Sequence, residues 1–537
     1  MKTNLNVSLI AINSKYVHNN IAIYYLKNSL LNNYNNSNNK INITTLQLSV
    51  NDDFNNLLNT IIDTNPDVIC LGVYVWNCNI IFDLCNILKQ LLPNLIIALG
   101  GPEVSYNYME VLNKHNYIDS ILVLESENSI IDLVDDVFKS CTKPYYIHDV
   151  DILNLPCISD ELILNCCNKP IYFETSRGCP YRCSYCTSCI DKRVRYRNLD
   201  IVTAELKKLL DAKVKQIRFL DRTFNSNKKR AITIWKFLIE NNICSEFHFE
   251  ICANLIDEET LKFLQTVPKD IFRFEIGIQS TNDKTLKAIN RTNNFEKETH
   301  IIQKLVSLNN IFLHTDLIIG LPYEDINTFK TSFNNLYNLK TNEMQLGFLK
   351  FLKGTDIYLD KEKYGYVYNT KPPYEIISNN FLSFKDVTFL KTFESVFEVL
   401  YNSSKFKYTV KYLEENFTIP YDIYETISKY IISNNITNTT IENINEIILN
   451  IFENDIILKQ ILTYDYFLNN KGIKKWMYIN NNYDLTLEIN NYIQKTLNIP
   501  YSNHSEYFKA YKSNRFLVLD YDIYNNKNIK TIYMIKN

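Results

Sequence analysis

The chain has 537 residues, long enough for two or three domains that each bury a core. Apolar residues make up 46% and charged residues 22%, an ordinary balance for a soluble globular protein. With 57 basic against 59 acidic residues the formal net charge is −2, which argues against a chain built mainly to bind nucleic acid.

In chain order, Val7 to Ile12 reads as a short apolar strand and Ile21 to Leu31 has helical apolar spacing. Ile41 to Leu46 is a second strand, followed by a helix around Leu57 to Ile62. Asp67 to Val75 and Leu95 to Leu99 are continuous apolar runs, as expected of buried parallel strands, with a helix from Ile80 to Leu91 between them. Ile118 to Leu124 is a fifth strand. This alternation predicts a doubly wound, Rossmann-like parallel sheet over residues 1–141, whose ligands bind beyond the carboxyl ends of the strands. Residues 142–169 read as a linker. Strands at Ile171–Thr175, Gln216–Leu220, Phe247–Cys252, Phe272–Ile278, Phe312–Ile318 and Met344–Phe348 alternate with helices and predict a parallel (β/α) partial barrel over 170–371. From 372 to 537 helical periodicity dominates, from Phe384 to Tyr412 and Tyr421 to Leu462, with a terminal strand pair between Phe516 and Ile535.

Met1 to Ser14 lacks the basic-then-apolar order of a secretory leader, and no stretch reaches the ~20 apolar residues of a membrane span. A cytoplasmic location is expected, where thiols stay reduced. Thirteen cysteines in that setting point to metal binding or catalysis before disulfides. All of them lie between Cys70 and Cys252, so any cysteine-bound metal belongs to the first half.

The densest group is Cys179-Pro-Tyr-Arg-Cys183-Ser-Tyr-Cys186, directly after the first barrel strand, at the face where barrel enzymes place their chemistry. Three thiolates in a compact loop admit two readings. A structural zinc loop would need a fourth ligand, from Cys189 or from Cys166-Cys167. A four-iron cluster held by three thiolates instead leaves one iron open to a substrate.

The Cys-x3-Cys-x2-Cys loop, with Tyr185 before its last cysteine, resembles the radical S-adenosylmethionine (SAM) superfamily. The resemblance implies a 4Fe-4S cluster on Cys179, Cys183 and Cys186, SAM chelated to the open iron, and an enzyme fed by a reducing donor of flavodoxin or ferredoxin type. It further implies cofactor-contacting roles for Tyr185, for Asp221 after the second strand, for Glu275, Gln279 and Ser280 on the fourth, and for Asp316 on the fifth. Glu275, Gly277 and Gln279 share one face by strand alternation, as do His314 and Asp316.

A Rossmann-like domain ahead of such a barrel resembles the cobalamin-dependent branch of that superfamily, in a subgroup whose carboxyl-terminal domain has no assigned function. Gly72, Gly100 and Gly101 would let backbone approach the cobalamin tail. No Asp-x-His-x-x-Gly pattern offers a histidine to cobalt, and Leu124-Glu-Ser-Glu-Asn128 stands where relatives carry a glycine–acid pattern. Methyl transfer to, or remodelling of, an unactivated carbon is the implied activity on an unidentified substrate. A cobalamin-free enzyme of methylthiotransferase type and a zinc-stabilised binding module are the alternatives.

Overall fold

The computed structural model describes residues 4–469 except 36, 156–157, 167–168, 192 and 292–293, and in addition 506–509, 515–522 and 527–536. Two compact units emerge, one of residues 1–325, 339–341 and 347–381, the other of 326–338, 342–346 and 382–537.

The first unit holds two large parallel sheets among its described residues. In the first, β1 (Asn4–Asn13), β2 (Lys40–Ser49), β3 (Val68–Gly72), β4 (Ile96–Gly100), β5 (Ser120–Val123) and β6 (Tyr145–Ile147) run parallel in the order β2-β1-β3-β4-β5-β6. The order reverses between β1 and β3, so the strand ends there open the crevice that doubly wound sheets use for ligands. β3 is buried on both faces because Val68, Ile69, Cys70 and Leu71 all pack inward, and helices such as Phe54–Ile62 and Cys78–Leu91 cover it with Leu57, Ile61, Ile81, Leu84 and Leu88. The sixth strand falls in the stretch expected to be a linker. Three residues after Pro144 carry too little pattern to read as a strand, and pairing with β5 makes them one.

After β7 (Ile171–Phe173) come the two-residue strands β8 (Ser176–Arg177) and β9 (Arg195–Tyr196), which pair antiparallel with each other. The second sheet combines β7 with β10 (Gln216–Phe219), β11 (Glu246–Ile251), β12 (Phe272–Gln279) and β13 (Ile311–Ile319), in chain order across the sheet, and the expected last strand forms as β14 (Glu343–Phe348). Such an open, sequentially ordered parallel sheet is the expected partial barrel. Its alternation is strict: Phe247, Phe249, Phe272, Phe274 and Ile276 are buried, while His248, Glu250, Arg273, Glu275 and Gln279 are only half-buried. The apolar face packs on helix Lys228–Asn241, where fully buried Trp235 meets Phe274 at 5.6 Å and Phe224 at 5.6 Å. Aromatic pairs of this kind add about 0.5–1.5 kcal/mol each beyond area burial. The opposite, polar face is therefore the lumen.

The second unit is mainly helical. Helices Ile326–Tyr337, Phe384–Phe397 and Pro420–Ser433 pack through Phe333, Phe393, Phe397 and Tyr424, and Lys407–Asn416, Ile441–Ile451 and Ile456–Asn469 complete the helical part. The Tyr337 hydroxyl, buried among them, donates to Glu414 and lies 3.1 Å from the Tyr424 hydroxyl. Where a strand pair was expected there is a three-stranded antiparallel sheet of Glu506–Lys509, Arg515–Asp522 and Lys527–Lys536.

Candidate functional site

The three clustered cysteines lie on a loop whose two ends are pinned together. Ser176 and Arg177 pair with Tyr196 and Arg195, and Gly178, at φ 91°, lets the returning chain cross so closely that a Cβ there would overlap the Arg193 carbonyl oxygen. Beyond this neck the loop is braced by backbone bonds: Cys186 N–H to the Cys183 carbonyl (3.0 Å), Ser184 N–H to the Ile289 carbonyl (2.9 Å), and Ile357 N–H to the Ser184 carbonyl (2.9 Å). Cys183 is buried, whereas Cys179 and Cys186 are half-buried. Among the described residues no group of three His, Cys, Asp or Glu side chains converges on a single-ion position. The side chains of Cys166, Cys167 and Cys189 lie outside the described residues.

The lumen ends of β12 and β13 meet this loop. Gln279 ends β12 at φ 73°, a left-handed conformation reached through a bulge between Gly277 and Gln279, and its buried Oε1 has no hydrogen-bond partner. Arg291, which no sequence motif marks, reaches the same place. Its guanidinium bonds the Gly277 carbonyl, lies 3.2 Å from the Tyr185 hydroxyl and 3.7 Å from Cys183 Sγ, and keeps a buried, unbonded Nε. Tyr185 itself packs on the apolar cluster of Leu286, Ile289 and Leu349. On the other side of the loop Thr223 Oγ1 stands 3.4 Å from Cys179 Sγ.

A row of ionisable groups crosses the lumen. His248 Nε2 and Glu275 Oε2 are 3.0 Å apart, His314 and Asp316 are 3.0 Å apart, and Glu250, Glu275 and His314 are register neighbours on β11, β12 and β13. Burial raises Glu250 to about 7 despite Arg222 at 3.3 Å, and the Glu275 and Asp316 carboxylates push the same way. Burial also raises Asp316 against the pull of His314, while for Glu275 the burial effect is outweighed by His248 and His314, leaving it low. Glu250 and Arg222 were not anticipated, because nothing in the spacing of a single strand marks which acid faces a charged neighbour.

Two of the sequence candidates are occupied elsewhere. Asp221 is 1% exposed and accepts from Thr175 N–H (2.9 Å), Thr175 Oγ1 (2.5 Å) and Ser176 Oγ (2.6 Å), so it anchors the start of the loop. Burial lifts its carboxyl to about 6 in spite of these donors. Ser280 Oγ donates to Glu324 Oε1 at 2.6 Å.

In the first sheet, Gly72 and Gly100 end β3 and β4. A Cβ on Gly101 (φ 97°) would sit 2.6 Å from the Val73 carbonyl oxygen, and one on Gly72 would sit 3.1 Å from the Tyr74 ring. Gly101 thus lets the chain after β4 come close to the chain after β3. Asn77, 1% exposed, stitches the switch point by donating to the Ile12 carbonyl (2.8 Å) and accepting from Tyr74 N–H (2.7 Å). Past the carboxyl ends of β1, β3 and β5 stand Tyr16 (56% exposed), Trp76 (50%) and Leu124 (51%). Trp76 stacks on Tyr74 with centroids 4.5 Å apart, and Leu124 takes φ 62°, the conformation a glycine would adopt there. His18 bonds the Tyr172 hydroxyl at 2.8 Å, as a hydrogen-bonding loop residue.

The donor sets fit the groups implied. Three thiols with buried, unbonded polar atoms at Gln279 and Arg291 suit a cluster that holds a zwitterionic ligand. Exposed aromatic and aliphatic side chains over a sheet crevice suit a large ring cofactor. No helix among the described residues is long and apolar enough to cross a membrane.

Comparison with known proteins bears on the whole chain. Residues 7–134 match the B12 binding domain, 173–336 the Radical SAM superfamily, and 362–535 a Protein of unknown function (DUF4080). A 2-(S-pantetheinyl)-carbapenam-3-carboxylate methyltransferase of Streptantibioticus cattleyicolor is 23% identical over 52% of this chain and 46% of its own length. A tRNA-2-methylthio-N(6)-dimethylallyladenosine synthase of Clostridium botulinum (strain Langeland) is 24% identical over 50% of this chain and 61% of its own. The matched region thus spans less than two thirds of these curated relatives. The cobalamin-dependent S-adenosylmethionine radical enzyme OxsB, solved with aqua-cobalamin bound, shares the fold at a TM-score of 0.62 and 16% identity, covering 93% of this chain and 82% of that one. The chain therefore carries a B12 binding domain, a Radical SAM superfamily domain and a DUF4080 domain in that order, and the first two imply cobalamin and a 4Fe-4S cluster with SAM as cofactors.

Proposed function

We propose that the chain is a cobalamin-dependent radical SAM enzyme that transfers a methyl group to, or otherwise remodels, an unactivated carbon, with Cys179, Cys183 and Cys186 as the cluster ligands. The observation that carries this reading is the three-thiol loop braced beside Arg291 and Gln279 at the lumen mouth. When bound, the cluster supplies one electron to the sulfonium of SAM and so generates a deoxyadenosyl radical. The chain's own residues do the rest. Arg291, a fixed fork of donors, takes the methionine carboxylate; Gln279, Glu275 and Asp316 present acceptors to the ribose and amine; Tyr185 closes the loop against the apolar wall. In the first domain, Tyr16, Trp76 and Leu124 offer the ring its apolar bed.

The reaction takes an organic substrate and a reducing donor of flavodoxin or ferredoxin type, in a reducing compartment such as the cytoplasm. A methylthiotransferase needs a second cluster, and the described first-domain cysteines do not favour one: Cys70 and Cys85 are buried among sheet and helix side chains, and burial pushes the Cys70 thiol up to about 12.

The test is anaerobic reconstitution with iron and sulfide, followed by assay of deoxyadenosine and bound corrinoid. Wild type forms deoxyadenosine and retains corrinoid; Cys183→Ala loses the cluster absorbance and the product. Equal deoxyadenosine from the two proteins refutes the ligand assignment.

A further inference from the structure

Resting on the reading above, the geometry points to Arg177 and Arg195 as positioning residues that couple occupancy of the first domain's crevice to the cluster loop through Glu125 and Glu127. Both arginines belong to the neck of the loop, one on each strand, and Arg177 lies two residues before Cys179. Arg177 meets Glu127 at 2.5 Å, Glu174 at 2.9 Å and Glu125 at 3.5 Å, with its side chain 13% exposed and that of Glu127 7%. Arg195 pairs with Glu125 and with Asp191 at 2.9 Å, and donates to the Val150 carbonyl at 2.8 Å. Tyr25 holds the group from the side: its hydroxyl donates to Glu174 at 3.0 Å, and its ring lies 5.3 Å from the Arg177 guanidinium.

The acidic partners lead back to the crevice. Glu125 and Glu127 follow Leu124, whose left-handed backbone N–H donates to Ser105 Oγ at 3.0 Å. Ser105 Oγ in turn donates to the Gly101 carbonyl at 2.8 Å, in the turn that ends β4. A line of hydrogen bonds, then the short loop Leu124 to Glu127, then ion pairs thus runs from the glycine turn to both strands of the neck. Charge-assisted, desolvated pairs of fixed geometry transmit position better than apolar packing, because a shifted partner leaves a buried charge unmatched. Transfer between two cofactors needs their reacting atoms registered to a fraction of an ångström, and a shared clamp supplies that register.

The clamp is tested in the cluster-loaded full chain by hydrogen exchange of residues 178–194, with and without hydroxocobalamin. In wild type cobalamin slows exchange in this loop on the order of tenfold, a typical coupling between linked sites. In Glu127→Gln, and in Glu125→Gln as the more exposed alternative should the first fold poorly, the slowing falls to less than about twofold, while cobalamin protection of Val68–Gly72 is kept. Arg177→Lys restores part of the coupling that Arg177→Gln loses. Undiminished slowing of the loop in the glutamine variants overturns the inference, as does protection of the crevice in wild type without any effect on the loop. Absence of corrinoid binding in wild type is a different failure: it refutes the cobalamin reading itself, and this inference with it.

Discussion

Replacing Asp221 by asparagine isolates what one buried carboxylate does for the cluster loop. In the folded chain burial raises its carboxyl from 3.8 to about 6, with Glu174 adding to the rise and three donors from Thr175 and Ser176 opposing it. A shift of that size is worth ~3 kcal/mol between the two protonation states. The sign follows from proton counting. Between pH 4 and 6 the folded chain holds a proton there that the unfolded chain has released, so the stabilisation is complete below pH 4 and is lost as pH rises through 6. Asparagine mimics the protonated acid without titrating. The stability difference between wild type and Asp221→Asn should therefore change by roughly 2.4 kcal/mol from pH 4 to pH 7, in the direction that favours the variant at the higher pH. Urea unfolding of both apo chains, followed by the fluorescence of Trp235 in the barrel core, gives the difference directly, and other titrations cancel between them. A difference constant within about 0.5 kcal/mol across that range would show that Asp221 is not the buried, titrating anchor described here.

Three further outcomes are expected. Gly178→Ala, which puts a methyl group into the Arg193 carbonyl at positive φ, prevents the neck from closing, so iron uptake on reconstitution falls severalfold while the far-ultraviolet circular dichroism is kept. Arg291→Gln removes a positive charge 3.7 Å from Cys183 Sγ, and the cluster midpoint potential, read by electron paramagnetic resonance titration, becomes more negative by on the order of 50 mV. Trp235→Ala opens a large cavity behind β11 and β12 and costs about 3–5 kcal/mol, measured by the loss of barrel stability in urea.

The strands that could be read from sequence are those whose own side chains settle their burial. β3 shows as an unbroken apolar run, and β12 as an alternation of phenylalanine and isoleucine with polar residues. β6, β8 and β9 could not be read, because three-residue and two-residue strands exist only through their partners. The cysteine triplet was legible as local spacing. Its setting was not: Arg291 comes from a turn far along the chain, and its approach to Cys183 depends on the bulge at Gln279. Asp221 was expected at the cofactor, whereas which donors would claim its oxygens depended on the fold of Thr175 and Ser176. The departure at Leu124 looked like a crowded loop in sequence. In three dimensions the residue simply adopts the glycine conformation and leaves its side chain in solvent, at a cost of roughly 1–2 kcal/mol.

The pinned neck separates two timescales in the life of such a protein. Iron–sulfur groups are the perishable part of an oxygen-sensitive catalyst, and the polypeptide around them is costly to remake. Here the ends of the loop after Gly178 are closed by their own strand pair and by the acids across from it. Whatever holds the loop ends together is therefore polypeptide, and refilling the loop does not require rebuilding its neck.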